Sequence, residues 1–183
     1  LIKKVTLLSV LVKKPLKTKS IKFQNVQPKK INSDDDYFLF KVITLAMLPT
    51  MKKTDPTYQP VYKNLKKDNN LFKPNEVDII IFNGIDVGRL RVVKTNFEIY
   101  IGGFQILPEF QNKGIGTTVL QHLIKQSAAL KTPISLEVQK VNTLTKKFYE
   151  KNGFEAVEVT EKDFIMKFYS GVILPQGDEI FKF

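Results

Sequence analysis

Three consecutive strand patterns between residues 77 and 107 constrain the fold of this chain most. The runs VDIIIF (77–82), DVGRLRVV (86–93) and FEIYIGGFQIL (97–107) are rich in β-branched and aromatic residues. Asn83-Gly84 separates the first two runs, and this dipeptide favours a two-residue hairpin turn because both positions adopt positive φ. We therefore predict three consecutive antiparallel strands.

Beyond the third strand the pattern changes to alternating helices and strands. Asn142 is suited to cap the second of these helices, Gly153 follows its end, and Leu144 and Phe148 are predicted to face the core. A strand–helix–strand unit places its two strands side by side and parallel. We therefore predict a mixed α/β sheet in which strands 97–107 and 134–139 are parallel neighbours. They are the fourth and fifth predicted strands, because a strand at 21–26 precedes the three described above. The predicted elements are helix 114–130, strand 134–139, helix 142–152, and strands 154–159 and 163–169.

The part of the chain that precedes these three antiparallel strands is less regular. The run IKFQNV (21–26) alternates as a strand does, and the apolar positions of 34–48 predict a helix. The three aspartates at 34–36 are predicted to cap this helix, because three consecutive helical residues cannot all face one metal ion. Residues 49–76 are polar and broken by four prolines, with a short helix predicted near 57–68.

The net charge of +11 is concentrated at the N-terminus. Residues 1–30 contain nine lysines and no acidic residue, which leaves +2 for the rest of the chain. We predict a basic extension (1–20), one globular domain (21–169) and a C-terminal extension (170–183) packed on that domain. The basic extension is interpreted as a solubilising arm, with a contact to nucleic acid or anionic lipid as the alternative. No apolar run is long enough to span a membrane.

Cysteine and histidine usage excludes several kinds of site. The chain has no cysteine and one histidine, His122. A disulfide framework, a thiolate metal site, a cysteine nucleophile and a multi-histidine metal centre are therefore excluded, and no metal is expected. His122 lies in the middle of a predicted helix and is not expected to act in catalysis. The lack of cysteine fits a reducing compartment, and we predict a cytoplasmic protein.

The stretch QNKGIGT (111–117) joins the third of the three antiparallel strands to the next helix. A helix N-terminus exposes unpaired N–H groups, and glycines there allow a phosphate to approach the backbone. A tight turn is the alternative reading of the same residues. The dinucleotide-binding fingerprint is excluded because position 119 is valine and the preceding strands are antiparallel.

The segments ILPEFQNKGIGT, LEV…N and FYEKNGF together resemble the GNAT superfamily of acetyl-CoA-dependent N-acetyltransferases. The resemblance is specific over residues 77–169. It implies a mostly antiparallel sheet with helices on both faces, whose parallel fourth and fifth strands splay apart. Acetyl-CoA would enter the wedge between these two strands.

The resemblance also implies the residues that hold the cofactor. The backbone at Ile106 and Leu107 would pair with the pantetheine arm, and Asn142 would lie beside that arm. Tyr149 is expected both to contact the cofactor and to act in catalysis. The pyrophosphate would sit on the loop formed by Gln111, Asn112, Lys113, Gly114, Ile115, Gly116 and Thr117.

The implied reaction is direct attack of a neutral amine on the thioester. Tyr149 matches the superfamily tyrosine that protonates the leaving thiolate, and a phenol is a reasonable donor to a thiolate. Glu137 matches the proposed base of ribosomal-protein N-terminal acetyltransferases. Glu98, which shares a strand face with Tyr100, and a bridging water are the alternative bases.

The amine acceptor is left open by the sequence. Residues 34–70 and 160–163 would build its pocket, and we favour a small-molecule primary amine over a peptide amine. A protein N-terminal acetyltransferase and a non-catalytic acyl-CoA sensor are the alternative functions. The oligomeric state, including a homodimer, is open as well.

Overall fold

A computed structural model describes residues 26–60, 73 and 75–171 of the chain. Seven strands, three α-helices and two short 3₁₀ turns make up this part. The strands are β1 (Val26–Lys30), β2 (Val77–Phe82), β3 (Ile85–Lys94), β4 (Ile99–Ile106), β5 (Ile134–Gln139), β6 (Glu155–Val159) and β7 (Asp163–Phe168). The helices are α1 (Asp36–Thr54), α2 (Ile115–Leu130) and α3 (Thr143–Lys151), and the 3₁₀ turns are Ser33–Asp35 and Pro108–Phe110.

The seven strands form one sheet in the order β1-β2-β3-β4-β5-β7-β6. Every neighbouring pair is antiparallel except β4 and β5, which run parallel. The predicted mixed α/β sheet with parallel fourth and fifth strands is therefore confirmed. The parallel pair is joined through α2, as a strand–helix–strand crossover requires.

The helices cover opposite faces of the sheet. Leu39 of α1 packs with Val77 and Ile79 on one face, which we call the α1 face. Leu120 of α2 and Tyr149 of α3 pack with β4, β5 and β7 on the other, which we call the α2–α3 face. Because side chains alternate along a strand, neighbouring residues of β4 and β5 face different helices.

Two elements differ from the sequence-based expectations. Helix α1 continues through Pro49 to Thr54, whereas the predicted helix covered 34–48. Val42 and Ile43 are buried and hold the preceding turns against the sheet. Pro49 lies at an exposed position, where loss of its backbone hydrogen bond costs least. The first strand is Val26–Lys30, whereas 21–26 was predicted. Its antiparallel pairing with β2 fixes this register.

Several predictions fall outside the described residues. They concern the basic extension 1–20, residues 21–25 of the predicted first strand, most of the helix expected near 57–68, and residues 172–183 of the C-terminal extension. The division of the chain into a domain and two extensions stays a prediction.

Candidate active site

The parallel pairing of β4 with β5 is short, and the two strands separate where it ends. Only Ile99 with Ile134, Tyr100 with Ser135, and Ile101 with Leu136 are paired. β4 continues to Ile106 and β5 to Gln139 without further pairing between them. We call this opening the fork. Backbone groups on its inner edges are available to a bound molecule, as on any unpaired strand edge.

A cavity of about 600 Å³ opens beside the fork on the α2–α3 face. Its lining comes from the end of β4, the loop before α2, and α3. Seven of the residues assigned to cofactor binding by resemblance contribute to it: Ile106, Gln111, Asn112, Gly114, Gly116, Thr117 and Tyr149. Residues that are distant in the sequence thus line one cavity of a size suited to a small molecule.

The loop before α2 has the backbone geometry of an anion-binding turn. Asn112 and Gly114 adopt positive φ, at 59° and 80°. Gly114 is the N-cap residue of α2, and no side chain of the described chain caps this end. The first turn of α2 also lacks an acidic residue. Its first N–H groups and the positive end of the helix dipole therefore remain available to an anion.

Gln111 ties this loop to the end of β4. Its side-chain amide donates a hydrogen bond to the carbonyl oxygen of Ile106, at 2.9 Å. The neighbouring Leu107 is buried, its N–H donates to the Val87 carbonyl, and its own carbonyl accepts from Phe110. The structure thus places Leu107 in the core, where its backbone groups are already bonded within the protein.

Three other residues assigned by resemblance lie apart from the cavity lining. Ile115 is buried against Ile80 in the core, and Lys113 lies over the Phe110 ring at 5.1 Å. Asn142 caps α3, because its side-chain oxygen accepts a hydrogen bond from the Thr145 N–H at 3.3 Å. Its predicted place beside a cofactor arm stays a prediction.

Tyr149 of α3 forms the inner wall of the cavity. Its ring packs between Phe148 and Phe154, with centroid distances of 5.2 and 5.3 Å. The residue is buried. Burial raises the pKa of the Tyr149 hydroxyl, so this group stays protonated well above neutral pH.

The outer wall of the cavity was missed by sequence reasoning. Leu144 was expected to face the core, yet it is 77% exposed and lines the cavity. Lys147 and Lys151 follow it on the same side of α3, and no acidic partner is recorded for either within the described ranges. Their spacing from Leu144, three and seven residues, is the helical periodicity that could have revealed them.

The α1 face of the fork carries polar side chains instead. Glu137 is exposed and forms a hydrogen bond with Tyr100, its neighbour across the fork. Glu98, just before β4, accepts a hydrogen bond from the Ser135 hydroxyl at 2.7 Å. The predicted base Glu137 and the alternative base Glu98 therefore both lie near Tyr100, although they come from distant segments.

Burial is the largest cause that raises the pKa of the Tyr100 hydroxyl. The charge of Glu137 and its hydrogen bond raise this pKa further, as does the charge of Glu98, whereas the charge of Arg91 lowers it. Glu137 is thus close enough to Tyr100 for its charge to act on the Tyr100 hydroxyl.

The described part of the chain offers no metal site and no membrane span. No group of three acidic, histidine or cysteine residues there could hold a metal ion. No helix among the described residues is long and apolar enough to cross a membrane. His122 lines a separate apolar cavity of about 260 Å³ between α2 and the first three strands, and its ring bonds to Gln126.

Comparison with known protein families identifies the class of this chain. The model of the acetyltransferase (GNAT) family matches residues 46–154, more than half of the chain. The chain therefore belongs to the GNAT family of acetyltransferases and is an acyltransferase. No match was found among curated protein sequences.

Solved structures of similar fold include several acetyltransferases. The PaiA N-acetyltransferase of Thermoplasma acidophilum in complex with coenzyme A is 19% identical, with a TM-score of 0.63 over 79% of this chain and 98% of that one. The ribosomal-protein-S18-alanine N-acetyltransferase of Escherichia coli is 16% identical, with a TM-score of 0.57 over 84% and 99% of the two chains.

Arabidopsis thaliana Naa50, in complex with the bisubstrate analogue CoA-Ac-MVNAL, is another structural neighbour. It is 21% identical, with a TM-score of 0.55 over 78% of this chain and 97% of that one. At these identities the neighbours establish the shared fold alone.

Proposed function

We propose that this protein transfers the acetyl group of acetyl-CoA to a primary amine at the fork between β4 and β5. The observation that carries the proposal is the meeting of two features at one opening. A cavity with an uncapped helix N-terminus lies on the α2–α3 face, and the Tyr100–Glu137 pair lies on the α1 face. The first suits a phosphorylated acyl donor and the second suits a basic acceptor.

The α2–α3 cavity would hold the donor. The residues Gln111, Asn112, Gly114, Gly116 and Thr117 would receive the pyrophosphate mainly through backbone N–H groups, which the open first turn of α2 provides. Ile106 would meet the pantetheine arm at the edge of β4. Lys113, Ile115, Leu107 and Asn142, assigned by resemblance, would act by shaping this loop and the fork.

The chemical step needs two proton movements. We propose that Glu137, together with Tyr100, removes a proton from the acceptor ammonium so that the nitrogen can attack. The N–C bond forms, the C–S bond breaks, and the sulfur takes a proton from Tyr149. Burial keeps the Tyr149 hydroxyl protonated, so a proton is present at this site when the thiolate leaves. The product nitrogen then loses a proton, which restores Tyr149 through solvent.

A small cationic amine is the acceptor we favour. Two carboxylates, Glu98 and Glu137, lie on the α1 face of the fork, and carboxylates there attract a cation. A peptide N-terminus is the second candidate. It is supported by the neighbours of this fold that act on protein or peptide amines.

The test is amine-dependent release of the CoA thiol. We would incubate the full chain with acetyl-CoA and, in parallel, with a panel of diamines and polyamines or with the peptide MVNAL and an alanine-starting pentapeptide. Thiol release that depends on a small amine supports the favoured acceptor, and release only with peptides supports the second. Tight acetyl-CoA binding with no release from any amine supports the sensor alternative and overturns transfer.

The phosphate role of the loop has its own test in Gly116→Ala. The added Cβ would lie 3.5 Å from Ile106 and Phe148, an ordinary contact, so the melting temperature is expected to stay unchanged. The methyl group would crowd an approaching phosphate, and the dissociation constant of acetyl-CoA should rise about tenfold or more. Gly114→Ala is the contrasting variant, because its φ of 80° should make it lower the melting temperature as well. Unchanged affinity in Gly116→Ala would contradict the assignment.

A further inference from the structure

Arg91 of β3 is paired with Val77, so its side chain lies on the α1 face, as do those of Tyr100 and Glu137. Its side chain is 13% exposed and is held by Glu76. The Nε atom donates to Glu76 Oε2 at 2.9 Å, and Nη2 lies 2.7 Å from the same oxygen. This bond from Arg91 is the largest cause that lowers the pKa of Glu76, so the pair is charged at neutral pH.

The third nitrogen of the guanidinium, Nη1, lies against the backbone of Gly102 in β4. A Cβ placed on Gly102 would lie 2.5 Å from Nη1 of Arg91 and 3.2 Å from the ring of Tyr100. Gly102 is the extra residue where the register of β3 and β4 shifts between Arg91 and Val92. The missing side chain therefore creates the space in which Arg91 lies against the strand and beside Tyr100.

The charges that act on Tyr100 come from three elements. Glu137 faces it from β5, Glu98 from the turn before β4, and Arg91 from β3. No charge of α1, which packs on this face, contributes to its pKa within the part of the chain described. Among the described residues, Arg91 is thus the one cation that opposes the two carboxylates at this hydroxyl.

We propose that Arg91 is a positioning residue for acetyl transfer, seated on Gly102 and clamped by Glu76. It fixes the Tyr100 ring beside Glu137 and keeps a positive charge next to the pair that receives the acceptor's proton. Because Nε and Nη2 are bonded to Glu76 and Nη1 lies against Gly102, Arg91 acts through Tyr100 and does not bind the acceptor. This inference rests on the proposed function of the fork.

Two adjacent glycines provide a matched test. In Gly102→Ala the new methyl group must displace the end of Arg91, whereas in Gly103→Ala it meets the end of Arg89 at 2.9 Å. Both obstacles are terminal atoms of long arginine side chains, which can shift without moving the backbone, so both variants should fold. We would label the tyrosine Cζ atoms with ¹³C, assign Tyr100 by Tyr100→Phe, and follow its titration by NMR in each variant.

Gly102→Ala is expected to raise the pKa of Tyr100, increasing its proton affinity about three- to tenfold, because a stabilising cation moves away. Gly103→Ala should leave it unchanged. Equal titration of Tyr100 in both variants and the wild type would overturn the inference, whatever the outcome for activity.

Arg91→Met and Arg91→Lys keep the test decisive if Gly102→Ala fails to fold. Methionine removes the charge and should reproduce the altered titration, and lysine retains it and should restore the wild-type titration. A wild type that releases no CoA with any amine refutes the proposed function. An active wild type whose Tyr100 titration is insensitive to Arg91→Met refutes only the positioning role.

Discussion

The two faces of the fork differ in the kind of atoms that they offer. The α2–α3 face offers glycine backbone, apolar walls and the two lysines 147 and 151. The α1 face offers hydrogen-bonded side chains, among them Glu98, Tyr100 and Glu137. The first face suits a large donor held by many small contacts, and the second suits an acceptor whose proton must be moved.

The difference also separates binding from chemistry. A change on the α2–α3 face should alter mainly the affinity for acetyl-CoA, and a change on the α1 face should alter mainly turnover. Tyr149 is the exception, because it lines the donor cavity and is proposed to protonate the thiolate.

The largest effect is expected from Glu137→Gln. Glutamine keeps the size of the side chain but cannot accept the acceptor's proton, so kcat should fall by about a hundredfold or more. The dissociation constant of acetyl-CoA should stay the same, as measured by calorimetry. Glu155→Gln, on the exposed strand β6, is the matched control and should behave as the wild type. Full activity of Glu137→Gln would remove the proposed base from this face.

Tyr149→Phe should lower kcat by roughly a hundredfold or less, because water can replace a lost proton donor in part. The ring contacts with Phe148 and Phe154 remain, so the melting temperature should change little. Burial raises the pKa of Tyr149, and the wild type should therefore lose no activity through this residue up to the ordinary tyrosine range. Unchanged turnover of the variant at every pH would contradict the proton-donor role.

The paired substitution Lys147→Ala and Lys151→Ala should raise the KM for acetyl-CoA by roughly three- to tenfold, with kcat unchanged. Both lysines line the cavity, and their attraction to phosphate groups is screened by salt. The difference from wild type should therefore shrink between low and high ionic strength. Lys146→Ala is the control, because Lys146 pairs with Glu150 and lies over the Phe164 ring. A salt-independent effect would argue against phosphate contact.

The smallest effect is expected from Leu144→Ala. Leu144 is 77% exposed, so its truncation should leave the melting temperature nearly unchanged. A loss of affinity for acetyl-CoA of about two- to fivefold would show that this exposed apolar side chain contacts the ligand. Val159→Ala, at another exposed apolar position, should leave the affinity as it is.

The donor face was readable from the sequence because its main parts are contiguous. The glycines of 111–117 and the capped start of α3 are local signals, which can be recognised without knowledge of the fold. The error at Leu144 has a physical reason. Spacing shows that Leu144 and Phe148 share a side of α3, but only the opening of the fork decides that this side meets a cavity at one end and the core at the other.

The α1 face was harder to predict because its bonds join distant segments. Ser135 and Glu98 are 37 positions apart, and Arg91 and Glu76 are 15 apart. Such pairs depend on strand register, which the sequence does not state. The glycines at 102 and 103 were visible, but their use as space for arginine side chains follows only from the packed sheet.

The central claim is that donor and acceptor meet at the fork and react directly. The most direct measurement is the initial rate of CoA thiol release over a grid of acetyl-CoA and acceptor-amine concentrations. Direct transfer in a ternary complex predicts double-reciprocal plots that intersect, with no thiol released when the amine is omitted. Parallel plots, or release of stoichiometric thiol with an acetylated protein when no amine is present, would contradict it.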